Sequence, residues 1–157
     1  MEAQRLKVLV VDDDEGSRDS LKAILEDEYE VCEVDGGREA LDIFLEMKPD
    51  LVFLDNIMPD IGGIEVLERM KQACPLTPVV ICSAYSDLTD AAQAIQKGAS
   101  DYIPKPFNVK EIRDRAAELL RKYGGPPLDG EYLRQRWMMR KRDVRLRFLA
   151  SGFVPTA

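Results

Sequence analysis

Short apolar runs alternate with segments of helical periodicity along the first 120 residues. The runs at 6–11, 29–34, 51–55, 79–82 and 101–103 predict strands. Between and after them, apolar residues recur at spacings of three and four, which is typical of one buried helix face. This spacing predicts helices over 17–28 and 38–47, a third that Gly62-Gly63 opens, a fourth from Leu88 to a C-cap at Gly98, and a fifth that Asn108 caps and that stops near Gly124.

The order of these elements indicates the fold class. The runs at 6–11, 51–54 and 79–82 are apolar on both faces, as in a parallel sheet that helices cover on both sides. The run at 29–34 alternates apolar and polar residues, which favours a position near a sheet edge. Strict strand–helix alternation predicts an α/β domain with a doubly wound, five-stranded parallel sheet. In such sheets, binding sites lie at the carboxyl ends of the strands.

Composition excludes several function classes. The chain has 157 residues, enough for one domain and an appendage, and 45% of them are hydrophobic. No apolar run approaches the roughly 18–20 residues of a membrane span. The first residues are not expected to be a signal peptide, and three scattered cysteines suggest a reducing, cytoplasmic location. The absence of histidine excludes Ser-His and Cys-His hydrolases, histidine-ligated zinc and a histidine phosphocarrier.

Polar groups follow the predicted strands where chemistry is expected. Asp12 and Asp13 follow the first strand, Asp55 ends the third, Ser83 follows the fourth and Lys105 follows the fifth. Carboxylates held close together repel each other unless a cation lies among them. Oxygen ligands with room for water suit Mg²⁺. With a hydroxyl and a lysine beside it, such a cation predicts a phosphoryl-binding site, in which a carboxylate can act as nucleophile.

Four motifs in order resemble the receiver domain of two-component response regulators: VLVVDDD, PDLVFLDNIMPDIGG, VVICSA and DYIPKPF. The resemblance covers about residues 5–123. It implies the flavodoxin-like receiver fold. It also implies that the chain accepts a phosphoryl group from a sensor histidine kinase or a histidine phosphotransfer protein and switches conformation to control an output.

The resemblance also implies roles for particular residues. Asp55 resembles the phosphate-accepting aspartate. Asp13 resembles the direct Mg²⁺ ligand and Asp12 a partner that acts mainly through water. The backbone carbonyl of Ile57 would complete the metal shell.

Three further residues resemble the switch apparatus of the family. Ser83 resembles the switch hydroxyl, Lys105 the lysine that pairs with the phosphoryl group, and Tyr102 the aromatic residue that turns inward. A cis bond at Lys105–Pro106 is implied as well. Ile57 and Tyr85 are bulky and offer no group to orient water, so self-dephosphorylation is expected to be slow.

Two alternative functions fit parts of this pattern. Aspartyl-phosphate hydrolases carry a second aspartate two residues after the nucleophile, where this chain has Ile57. A degenerate receiver that acts only as a protein-docking module stays the alternative function. Ile57 therefore argues against a hydrolase, and the receiver interpretation predicts a phosphoacceptor that catalyses its own phosphorylation and slow dephosphorylation rather than a turnover enzyme.

Charge divides the chain. Residues 131–157 hold seven basic and two acidic residues, whereas residues 1–130 hold 15 basic and 27 acidic ones. We therefore expect a receiver domain at 1–123, a Gly/Pro linker at 124–130 and a basic, apolar tail at 131–157. The tail is expected to be a docking arm, a dimer element or part of an output domain. The expected partners include a second copy of the chain, which would bind through the tail or through the fourth helix, fifth strand and fifth helix, and nucleic acid is not an expected partner.

Single residues outside these motifs have ordinary interpretations. Asp14 is expected to cap the first helix, with Glu15 in its first turn. Cys82 is expected to be a small buried hydrophobe. Asp60 is expected to lie on a surface loop.

Overall fold

The computed structural model describes residues 5–84 and 88–124. Predictions about Tyr85 and about the linker and tail beyond Gly124 lie outside these residues. The strands are β1 Lys7–Val11, β2 Glu30–Val34, β3 Leu51–Asp55, β4 Val79–Ser83 and β5 Asp101–Pro104. The helices are α1 Glu15–Leu25, α2 Gly37–Met47, α3 Gly63–Ala73, α4 Leu88–Gln96 and α5 Val109–Leu119, which continues into a π-helical turn at Leu120–Gly124.

The five strands form one parallel sheet in the order β2-β1-β3-β4-β5. This confirms the predicted doubly wound α/β fold, and β2 lies at an edge as its alternating pattern indicated. The chain moves outward from β1 to β2 and then returns past β1 to β3. Such a reversal opens a crevice at the carboxyl ends of the two central strands. The site is therefore expected between the ends of β1 and β3.

Two hydrophobic clusters cover the two faces of the sheet. Leu9 and Val11 of β1 belong to one cluster, whereas Val8 and Val10 belong to the other, because side chains alternate along a strand. The first cluster is completed by α2, α3 and α4, and the second by α1 and α5. Burial on both faces explains why the central strands are apolar throughout.

Local sequence signals place most helix ends. The Asp14 carboxylate accepts a hydrogen bond from the Ser17 amide and caps α1, and Asn108 caps α5 through the Lys110 amide. Gly98 follows α4 with a φ of 108°, a left-handed conformation that favours glycine. The end of α1 differs from the prediction by three residues, because the amides of Glu28 and Tyr29 both bond to the Leu25 carbonyl and form a turn instead.

Candidate functional site

Three carboxylates meet where β1 and β3 end. The ligand oxygens of Asp12, Asp13 and Asp55 all lie within 4.8 Å of one another. Asp12 is 1% exposed and Asp55 7%, whereas Asp13 is exposed to solvent. The predicted acidic cluster is therefore formed, with two buried members and one at the surface.

Three hydrogen bonds hold Asp12 in place. Its amide donates to the Val34 carbonyl of β2 at 3.1 Å, and its own carbonyl accepts a hydrogen bond from Arg18 Nη1 of α1 at 2.8 Å. The carboxylate accepts the Asp14 amide at 2.9 Å. The turn from β1 into α1 is thereby fixed against the neighbouring strand and helix.

The side chain of Lys105 contacts two of these three carboxylates. This lysine follows β5 and precedes Pro106 across a cis peptide bond, as the resemblance implied. Its Nζ lies 2.5 Å from Asp12 Oδ2 and 3.5 Å from Asp55 Oδ1. Burial tends to lower the pKa of Lys105, but the hydrogen bond to Asp12 and the nearby carboxylates outweigh it and raise the pKa. The lysine is therefore charged, and its nearest partner is Asp12.

Asp55 lies in an environment that disfavours its charge. Burial, and then the charge of Asp12, raise its pKa from 3.8 to about 6, although Lys105 acts in the opposite direction. The carboxylate is still mainly ionised at neutral pH. An ionised carboxylate held among like charges is a suitable nucleophile and a suitable metal ligand.

Ser83 and Tyr102 occupy the neighbouring strands. Ser83 is fully buried as the last residue of β4, and its backbone carbonyl accepts the Lys105 amide at 2.7 Å. Tyr102 is half-buried in β5, opposite Ile81 in the register, and packs against the cluster of α2, α3 and α4. Ser83 and Lys105 are thus joined by a backbone hydrogen bond at the ends of β4 and β5, and Tyr102 lies in β5.

A short loop, residues 56–62, follows Asp55 and leads into α3. The Gly63 amide donates to the Asn56 carbonyl at 2.8 Å and closes the loop. Met58 and Ile61 are buried in the core, whereas Ile57 is 52% exposed. Ile57 therefore lies at the outer side of a tightly closed loop beside Asp55.

Two residues near the site were not identified from the sequence. Asp60 is exposed, as expected of a loop residue, but its carboxylate accepts the amides of Gly37 and Arg38 at the start of α2. Arg18 supports the backbone of Asp12 from α1. A helix that begins at two glycines has no side-chain cap of its own, and this signal could have suggested a partner such as Asp60.

The remaining predicted residues have structural positions. Asp14 caps α1 through Ser17, and Glu15 begins that helix. Cys82 is fully buried opposite Asp55 in the register, and burial raises the pKa of its thiol. A buried protonated thiol matches the expected small hydrophobe.

The family is decided by a sequence match over most of the described residues. The model of the response regulator receiver domain matches residues 8–117. The chain belongs to this family. The receiver domain is 36% identical over 118 residues to the response regulator MprA of Mycolicibacterium vanbaalenii, which covers 74% of this chain and 51% of MprA.

Two further proteins support the same assignment. The DNA-binding response regulator MtrA of Mycobacterium tuberculosis is 35% identical over 130 residues, which covers 82% of this chain and 57% of MtrA. A CheY-like receiver domain protein of Methanospirillum hungatei has a solved structure with a TM-score of 0.73 and 30% identity, over 76% of this chain and 97% of that protein. The chain is thus a receiver domain of two-component signalling.

The chain spans about half the length of the curated relatives it matches. DNA binding is stated in the name of MtrA, so the expectation that nucleic acid is not a partner of this chain stays an expectation. Within residues 5–84 and 88–124, none of the helices has the length and apolar character needed to cross a membrane.

Proposed function

We propose that this receiver domain accepts a phosphoryl group on Asp55 from a histidine kinase or a histidine phosphotransfer protein, and that the reaction depends on Mg²⁺. The observation that carries the proposal is the contact set of Asp55: two further carboxylates with ligand oxygens within 4.8 Å, and a half-buried lysine 3.5 Å away. The phosphorylated domain then changes conformation and controls an output or a partner.

The donor set fits Mg²⁺. Three carboxylates supply hard oxygen ligands, no thiolate or imidazole belongs to the cluster, and the exposed Asp13 leaves an open side for water and phosphate oxygens. Asp12, Asp13, Asp55 and the carbonyl of Ile57 would hold the ion. When bound, it would neutralise the carboxylates and the phosphoryl oxygens.

Asp55 acts as the nucleophile. One carboxylate oxygen forms a bond to phosphorus while the bond from phosphorus to the donor imidazole nitrogen breaks, and the electron pair stays on that nitrogen. Phosphoryl transfer needs positioning and neutralisation of charge more than covalent assistance. Lys105 supplies one positive charge, and we expect its ammonium group to leave Asp12 and pair with a phosphoryl oxygen.

Ser83 and Tyr102 are proposed to transmit the change. The Ser83 hydroxyl would donate a hydrogen bond to a phosphoryl oxygen, which draws the end of β4 toward Asp55. Tyr102 would then turn toward the space that the serine leaves. Lys105→Ala should keep metal binding but weaken this conformational response, because the lysine side chain then no longer contacts the phosphoryl group.

The alternative is a receiver that only docks to proteins. The described part of the chain contains each residue proposed for phosphorylation. Asp55 lies beside Asp12 and Asp13, and burial together with the charge of Asp12 raises its pKa. We therefore favour a working phosphoacceptor, which catalyses its own phosphorylation and slow dephosphorylation.

Chemical phosphorylation tests the proposal. The full chain is incubated with acetyl phosphate and Mg²⁺, and phosphate uptake is followed by intact mass and by phosphate-affinity gel electrophoresis. Uptake is expected in the wild type, not in Asp55→Asn, and still in Asp50→Asn, a buried aspartate just before the same strand. Uptake by Asp55→Asn at the normal rate would contradict the assignment, and no uptake by any variant would favour the docking-only alternative.

The same samples test self-association. Size-exclusion chromatography with light scattering, before and after phosphorylation, measures whether a homodimer forms. We place the dimer contact at the surface of α4, β5 and α5 or in the tail, which lies outside the described residues. An unchanged mass after complete phosphorylation would contradict a phosphorylation-dependent dimer.

A further inference from the structure

The N-terminus of α2 receives its cap from a distant part of the chain. Gly36 occupies the N-cap position and has no side chain to accept a hydrogen bond. The Asp60 carboxylate takes this place: Oδ1 accepts the Gly37 amide and Oδ2 the Arg38 amide, both at 3.0 Å. A β-carbon at position 36 would lie 3.2 Å from Oδ2, so the glycine leaves room for the carboxylate.

Charge makes this contact stronger than a neutral cap. Burial tends to raise the pKa of Asp60, but hydrogen bonds from the Arg38 and Gly37 amides outweigh it and lower the pKa. The carboxylate is therefore ionised at neutral pH, where it also interacts favourably with the positive end of the helix dipole. Both oxygens are used, so the contact fixes the orientation of the carboxylate as well as its distance.

Asp60 belongs to the loop 56–62 that follows Asp55. The loop is closed at its base by the hydrogen bond from Gly63 to Asn56, and Met58 and Ile61 anchor it in the core. Ile57 lies between these anchors with an exposed side chain, so its backbone position depends on its neighbours. On the solvent side, the hydrogen bonds from the Gly37 and Arg38 amides to Asp60 tie the loop to the start of α2.

We propose that Asp60 is a positioning residue that sets the Mg²⁺ affinity of the site by fixing the loop that carries Ile57 to the start of α2. The inference rests on the proposed function, in which the Ile57 carbonyl is a metal ligand. Asp60 itself touches neither the acidic cluster nor the reacting atoms in this assignment. By linkage, the coupling is reciprocal: a bound metal must strengthen the cap as the cap strengthens metal binding.

The first experiment measures Mg²⁺ binding to the full chain by isothermal titration calorimetry. Asp60→Ala is expected to raise the Kd roughly threefold to tenfold, the range for one helix cap whose free energy is coupled to the site. Asp60→Asn keeps one acceptor oxygen, so a smaller increase is expected. Circular dichroism checks that each variant is folded.

Two matched variants separate positioning from other effects. Asp35→Asn removes an exposed charge beside Gly36 without touching the cap, and its Kd is expected to stay within about twofold of the wild type. Asp50→Ala removes a carboxylate contact to the Lys7 amide at the opposite edge of the sheet, and its Kd is expected to be unchanged. An Asp60→Ala Kd equal to that of the wild type, or an equal rise in Asp35→Asn, would overturn the inference.

The second experiment needs no Asp60 variant and holds even if Asp60→Ala does not fold. Hydrogen exchange of the Gly37 and Arg38 amides is measured by NMR with and without Mg²⁺, and Mg²⁺ is expected to slow both several-fold. Unchanged exchange at saturating Mg²⁺ would overturn the inference alone. Absence of any Asp13-dependent Mg²⁺ binding would overturn the proposed function as well, so the two failures are distinguishable.

Discussion

Asp50 and Asp55 flank the same strand and are almost equally buried, at 8% and 7% exposed. Asp50 precedes β3 at the amino edge of the sheet, where its carboxylate accepts the Lys7 amide at 2.8 Å and its own amide donates to the Lys7 carbonyl. Asp55 ends β3 at the carboxyl edge, among two other carboxylates and Lys105. Burial of a carboxylate is therefore no sign of chemistry by itself, because the neighbouring groups decide what the residue can do.

The largest expected effect is an opposite change of stability when each aspartate is removed. In Asp50→Ala the Lys7 amide loses its acceptor, which should lower the free energy of unfolding by about 1–3 kcal/mol. In Asp55→Ala a repelled carboxylate is lost, which should raise that free energy by about 1–3 kcal/mol at pH 7 without Mg²⁺. Urea unfolding followed by circular dichroism measures both, and a change of the same sign in both variants would break the comparison.

The stability of Asp55→Asn relative to the wild type should depend on pH, which tests the role of charge at Asp55. The pKa of Asp55 is about 6 in the folded chain, against an ordinary value of 3.8. Between these values the folded state holds more protons than the unfolded state, so the Asp55 contribution to stability falls as the pH rises. The increase in the free energy of unfolding that Asp55→Asn causes should therefore be complete above about pH 6 and absent below about pH 4.

Unfolding curves of the wild type and Asp55→Asn across pH 4–8 measure this difference. A gain from Asp55→Asn that is independent of pH would show that charge repulsion is not its cause.

Metal binding should distinguish the two edges of the sheet. Mg²⁺ at ten times its Kd should stabilise the wild type by about 1.4 kcal/mol, because it binds the folded state. Asp50→Ala should keep this response and Asp13→Ala should lose it. Thermal unfolding with and without Mg²⁺ is the measurement, and equal shifts in the wild type and Asp13→Ala would argue against the metal site.

The smallest expected effect concerns the lifetime of the phosphoryl group on Asp55. Ile57 is exposed beside the acceptor and offers no group that orients water, and Tyr85 follows Ser83 by two residues outside the described part of the chain. Ile57→Asn combined with Tyr85→Glu should shorten the half-life roughly fivefold, since polar groups can position the attacking water. Decay measured by phosphate-affinity gels checks this, and an unchanged or longer half-life would count against it.

The sequence predicted the position of each site residue that lies at the end of a strand. Apolar runs precede Asp12, Asp55, Ser83 and Lys105, and the carboxyl ends of parallel strands lie at one edge of the sheet, so these residues were expected to lie close together. Burial on both faces likewise followed from the apolar character of the central strands. These signals are local in the chain, and the fold only assembles them.

Contacts between distant segments could not be read in the same way. The cap from Asp60 to Gly37 joins residues 23 positions apart, and the hydrogen bond from Arg18 to the Asp12 carbonyl depends on the angle between α1 and β1. The distance from Lys105 Nζ to the Asp12 carboxylate is only about 1 Å shorter than the distance to the Asp55 carboxylate. Hydrophobic periodicity contains no information at that scale.

Gly63 places a strict limit on how this part of the sequence can vary. A β-carbon there would lie 2.2 Å from the Asp55 carbonyl oxygen and 2.7 Å from the Asn56 α-carbon, both backbone atoms that cannot turn aside. Even alanine would force α3 away from the strand that ends in Asp55. In a library of random substitutions screened for signalling, position 63 should tolerate no replacement, although its residue contributes no functional group.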